Sequence, residues 1–132
     1  MIESVLVAGR GVGACSIIRS LQRLGIRTVA VHSEADRAAM HSQVADRAIC
    51  IGNAPAAASY NQAGVILDAA RVSGVDAIHP VYGPLSTNPD FADAVERQGM
   101  GFIGPNPEAM RALSNPTNLG LLAREFVAKD DK

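Results

Sequence analysis

Apolar positions along this chain follow two rhythms. Five short runs predict β-strands: Val5 to Ala8, Thr28 to His32, Arg47 to Ile51, Ala77 to His79 and Gly101 to Ile103. Their β-branched content and the glycines that bound them favour strands over helices. Between the runs the spacing turns helical. Ala14, Ile17, Ile18, Leu21 and Leu24 share one face, with Gly25 where such a helix would stop; Ile66, Ala69 and Ala70 do the same, ending near Gly74. Asn88-Pro89, Asn106-Pro107 and Asn115-Pro116 each place an N-capping side chain before a proline suited to the first helical position. Asp90 and Glu108 add acidic charge where the helix dipole favours it.

Strands alternating with helices predict a doubly wound α/β domain. Its three layers hold a mainly parallel sheet of about five strands, with helices on both faces and right-handed crossovers. A last helix is expected to bury Leu119, Leu122 and Phe126, and the charged end Lys129-Asp130-Asp131-Lys132 reads as a natural C-terminus. With no internal repeat, linker or low-complexity stretch, residues 1–132 read as one domain.

Composition narrows the function classes. A net charge of −1 gives no electrostatic case for nucleic acid or an anionic membrane, and 4% aromatic residues with no tryptophan leave little for base stacking. No apolar stretch approaches the ~20 residues that span a bilayer, so a cytoplasmic protein is expected. Cys15 and Cys50 form no paired motif and read as free, buried thiols. No His, Cys, Asp or Glu set has metal-ligand spacing, so no metal site is expected.

The candidate chemistry gathers first at the glycine turn after the first strand. Gly9, Gly11 and Ala14 fit G-x-G-x-x-[GA] between a strand and a helix, a turn whose backbone N–H groups can approach a phosphate. A tight turn that simply needs glycine is the alternative. The acidic residue of a dinucleotide site is missing after Val31-His32-Ser33, so Ser33 and Arg37 would have to hold a 2′-phosphate, which favours NADP within that reading.

Further segments carry a resemblance. Thr28-Val29-Ala30-Val31-His32-Ser33-Glu34-Ala35-Asp36-Arg37, Cys50-Ile51-Gly52, Ser59-Tyr60, Ala77-Ile78-His79-Pro80 and Phe102-Ile103-Gly104-Pro105 occur in this order. They resemble the N-terminal domain of biotin carboxylase, shared by acetyl-CoA, propionyl-CoA and pyruvate carboxylases, over essentially the whole chain. The resemblance implies a Rossmann-like domain that precedes an ATP-grasp domain in an enzyme that carboxylates biotin with MgATP and bicarbonate. By the same reading, the ATP-grasp domain is absent here.

The departures weigh on that implication. Where the family usually reads A-N-R-G-E-I-A, this chain has Ala8-Gly9-Arg10-Gly11-Val12-Gly13-Ala14. Where it reads H-P-G-Y-G-F-L-S-E-N, this chain has His79-Pro80-Val81-Tyr82-Gly83-Pro84-Leu85-Ser86-Thr87-Asn88. The family's M-G-D-K falls at Leu113-Ser114-Asn115-Pro116, and a proline cannot replace a lysine that contacts ATP phosphate.

The site candidates are therefore Tyr82 and His79 as catalytic residues, with Gly9, Arg10, Gly11, Gly13, His32 and Ser86 lining a ligand pocket at the strand ends. Tyr82 matches the family tyrosine near biotin, and a half-buried loop tyrosine is its plain alternative; His79 has a structural alternative too. Ser16, Ser20 and Ser86 lack any motif for an activated nucleophile. Asp36 is expected to pair with Arg37, Arg10 to anchor the first turn, and Glu34 and Asp76 to be solvated surface charge. His32 and His41 read as structural or surface positions.

The expected function is a carboxylase-like N-terminal domain that has lost ATP-dependent chemistry and acts as a ligand-binding or accessory module. ATP or biotin would enter only through the resemblance, and Pro116 disfavours ATP. Alternatives are a small enzyme recruited from this fold, a minimal NAD(P)-binding protein, and a trans-acting carboxylase subunit. Arg19 and Arg23 share a helix face where the related domain helps form a homodimer, although exposed charge also explains such a pair.

Overall fold

The computed structural model describes residues 2–55, 59–81 and 83–104. Its strands are β1 (Ser4–Val7), β2 (Arg27–Ser33), β3 (Arg47–Gly52), β4 (Ala77–His79) and β5 (Gly101–Phe102), and its helices are α1 (Gly11–Arg23), α2 (Met40–Val44), α3 (Ala63–Ser73) and α4 (Pro89–Arg97). The sheet runs β3-β2-β1-β4-β5, with every pairing parallel. The helices expected after Asn106-Pro107 and Asn115-Pro116, together with Pro116, lie outside the described residues.

Alternation along β1 divides the core. Val5 and Val7 pack with Ala14 and Ile18 of α1, and Ala30, Ala77 and Val81 belong to the same cluster. Leu6 points the other way, into a cluster with Ile66 of α3, Phe91 and Val95 of α4, and Ile78. Successive strand side chains face opposite sides, so one buried strand feeds both layers.

Local chemistry sets the helix ends. Gly74 closes α3 in the left-handed region at φ 68°, its N–H returning to Ala70 and Arg71 carbonyls. Asn88 caps α4 by accepting the N–H groups of Asp90 and Phe91 at 3.0 and 3.2 Å, with Pro89 in the first turn.

Two expectations need correction. Leu24 is 74% exposed, because α1 ends at Arg23 and the Gly25 turn swings Leu24 away from the apolar face. Cys50 is exposed while Cys15 is buried; on edge strand β3, Cys50 alternates outward from the inward Ile51. Asp76 is exposed as expected, and its carboxylate also accepts the N–H groups of Glu3 and Ser4 at 2.8 and 3.2 Å, tying the start of β1 to the approach to β4.

Among the described residues, no helix is long and apolar enough to cross a membrane.

Candidate functional site

The strand order reverses direction at β1: β2 and β3 lie on one side of it, β4 and β5 on the other. Open α/β sheets bind ligands outside the carboxyl ends of strands at such a switch point. Here a crevice of ≈ 270 Å³ opens there, lined on the β1 side by Ala8, Gly9, Arg10 and Gly13 and on the β4 side by Pro80, Val81, Gly83, Pro84 and Leu85, with Tyr60 and Asn61 beside them.

The glycines of the first turn differ in why they are needed. Gly11, the first residue of α1, sits at φ 78°, a torsion that side chains rarely adopt. Gly9 is needed for room, since a Cβ there would lie 2.7 Å from Val81 Cβ. Arg10 occupies the N-cap position of α1 without a side-chain capping bond.

Arg10, Tyr60 and Asp36 form the polar cluster at this end of the sheet. The Tyr60 hydroxyl donates to Asp36 Oδ2 at 2.7 Å and accepts the N–H of Ser33 at 3.1 Å. The Arg10 guanidinium lies 5.0 Å from the Tyr60 ring centre and 3.6 Å from Asp36 Oδ2. The Tyr60 bond, aided by Arg10, holds the Asp36 carboxyl below its usual range against the opposing effect of burial. Burial, reinforced by the bond to Asp36, pushes the Tyr60 phenol up to about 12. Asp36 thus pairs with Arg10 across the turn; the expected pairing with neighbouring Arg37 is replaced by a tertiary contact. Ser33, considered for a 2′-phosphate, is fully buried, and its Oγ has no hydrogen-bond partner among the described residues.

The sequence candidates are scattered more widely than the crevice. Gly9, Arg10 and Gly13 line it, whereas Gly11 lines a neighbouring groove along α1. His79 ends β4, half-buried, and its Nδ1 accepts the N–H of Val81 at 3.0 Å. His32 is buried, with Nδ1 2.8 Å from the Ser33 carbonyl oxygen. Ser86 donates to the Gly83 carbonyl at 2.6 Å within the short 3-10 turn Pro84–Thr87. Neither His32 nor Ser86 is among the crevice-lining residues. Tyr82 lies outside the described residues. Among the described residues, no group of three His, Cys, Asp or Glu side chains could hold a metal ion.

Sequence reasoning missed Tyr60 as a site residue, although the pair Ser59-Tyr60 was visible. His41 takes the structural one of its two expected readings: this α2 side chain is fully buried, donates from Nε2 to the Val31 carbonyl at 3.0 Å and sets its ring edge against Tyr60.

Burial holds the pKa of both His41 and His79 below 6.5. Below that pH the unfolded chain therefore takes up protons more readily than the folded one. Stability is expected to be level above about pH 7, to fall as pH drops below 6.5, and to stop falling on this account once the folded-state pKa values are passed. The slope per histidine is at most about 1.4 kcal/mol per pH unit. Urea titrations across this range check it, and His41→Gln should flatten part of the slope.

Comparison with known proteins gives one consistent result. The family model for the biotin carboxylase N-terminal domain matches residues 1–110. Biotin carboxylase of Pseudomonas aeruginosa is 51% identical over 115 residues, covering 87% of this chain and 26% of that protein. The structure of Kluyveromyces lactis urea carboxylase superposes with a TM-score of 0.88 at 36% identity, covering 94% of this chain and 11% of the other. The biotin carboxylase domain dimer of Hydrogenobacter thermophilus 2-oxoglutarate carboxylase, in complex with MgADP, ADP and bicarbonate, superposes with a TM-score of 0.84 at 41% identity, covering 89% and 26%. The chain spans about a quarter of the length of the biotin carboxylases it matches.

Proposed function

Because this chain belongs to the biotin carboxylase N-terminal domain family, we propose that it acts as a ligand-binding or accessory module, one wall of a carboxylase-type site. It does not by itself carry ATP-dependent carboxylation. The observation that supports this reading is that the two titratable side chains among the crevice's described lining residues are already engaged. Arg10 faces Asp36 and the Tyr60 ring, and the Tyr60 hydroxyl is bonded on both sides. A general acid or base needs a free atom within reach of the reacting group and a pKa near working pH; a phenol at about 12 is far from that.

The crevice offers little to hold a triphosphate: its volume of ≈ 270 Å³ is below the usual range of small-molecule pockets, and Arg10 is the one cationic side chain among its described lining residues. By the resemblance, Pro116 stands where the family lysine meets ATP phosphate.

A thermal-shift panel of MgATP, ADP, NADP(H), biotin and bicarbonate tests the reading. A ligand at ~100 times its dissociation constant adds about 2.7 kcal/mol. No shift is expected with MgATP, ADP or NADP(H), and a clear shift with MgATP overturns the proposal.

A second reading, docking as a carboxylase subunit or on a second copy, is favoured by the groove along α1. That groove, ≈ 770 Å³, is lined by Arg19, Arg23, Val12 and Met40 among others. Val12 and Met40 are 88% and 59% exposed, unusual for apolar side chains that gather at one groove. Light scattering at rising concentration should show a dimer that Arg19→Glu weakens; a monomer at every concentration removes the self-docking version.

A further inference from the structure

Val81 is the one non-glycine residue with a positive φ among the described residues, at 60°. For a β-branched side chain this torsion is costly and persists only where the surroundings impose it. Three contacts do so. The Val81 side chain is buried in the cluster that holds Val7 and Ile18, its N–H is fixed to His79 Nδ1, and its side chain rests on Gly9. A Cβ on Gly9 would lie 2.7 Å from Val81 Cβ and 2.8 Å from Cγ2, closer than real Cβ contacts come.

We propose that Val81, seated on Gly9, is the specificity-determining residue of the switch-point crevice. Its side chain plugs the inner end between the two turns and confines a ligand to the mouth beside Arg10 and Asn61, where only a small polar group fits. This rests on the reading of the crevice as the ligand site, but its test concerns packing and access. A failure of the ligand panel would leave it untouched.

The test is a double-variant cycle with a probe of access. Gly9→Ala should lower Tm by about 5–10 °C, and Gly9→Ala combined with Val81→Gly should return close to Val81→Gly alone. Equal losses from Gly9→Ala in both backgrounds overturn the interlock. If Gly9→Ala does not fold, a folded double variant supports the proposal and an unfolded one overturns it. Access is read from Tyr60, which lines the crevice and is 6% exposed. In a Tyr82→Phe background Tyr60 is the only tyrosine, and the chain has no tryptophan. Acrylamide quenching of its fluorescence should rise on Val81→Gly; unchanged quenching in a folded variant means that Val81 is not a plug.

Discussion

Replacing Phe91 by alanine should cost about 3–5 kcal/mol, the loss expected when a fully buried aromatic leaves a cavity. Phe91 is 2% exposed and belongs to the cluster of Leu6, Ile78, Leu85 and Val95 that joins α4 to the sheet. Its ring meets Phe102 edge-on at 6.0 Å and 80°, a geometry that adds to the area it buries. The chain has three phenylalanines and no tryptophan, so few large side chains could move in to fill the gap. Total stabilities of small domains are about 5–15 kcal/mol, and the variant should therefore unfold at a much lower urea concentration with an unchanged slope. Phe91→Leu should lose clearly less. A loss below about 1 kcal/mol for alanine would mean that α4 is not packed as described.

Tyr60→Phe removes one oxygen and should cost about 2–3 kcal/mol. The hydroxyl accepts the N–H of buried Ser33 and donates to Asp36, so its removal strands a buried donor and takes the strongest partner from a carboxylate. The ring stays, and with it the stacking of Arg10 and the edge contact with His41. The loss therefore isolates the hydroxyl. Asp36 should titrate closer to the ordinary carboxylate range in the variant, because its largest depressing cause is gone. Carbon-13 NMR of the side-chain carboxyl follows this directly, and an unmoved Asp36 would contradict the bond. For the wild type, the sign is that of any depressed carboxyl. The stabilisation from Asp36 is present above pH 3.8 and is lost as pH falls through its lower folded-state value.

The frame of the fold is written locally and could be read. Each strand run contains enough alternating or continuous apolar residues to identify itself, and Gly74 and Asn88 mark helix ends by torsion and capping that need no distant partner. The misses have the opposite character. Helix α2 is five residues long, too short for a helical period to emerge. It is held by its buried His41 and by Gln22, which donates from Nε2 to the Val44 carbonyl at 2.7 Å.

The site was half legible for the same reason. The glycine turn announced itself, because Gly11 needs a left-handed torsion that the spacing reveals. Pairing Asp36 with Arg10 instead of Arg37 depends on where β2 and the first turn meet in space, and Tyr60 joins them from a loop beyond β3. The need for glycine at position 9 arises from a valine that follows β4, a relation between two turns that only the parallel pairing of β1 with β4 brings together.

As proposed, this domain is a binding wall and not a carboxylating unit on its own. The most direct measurement is transfer of isotopically labelled bicarbonate to free biotin by the purified chain with MgATP. No transfer above the protein-free control is expected, whether or not biotin or ADP shifts Tm. Sustained transfer that depends on the chain and on MgATP would contradict it.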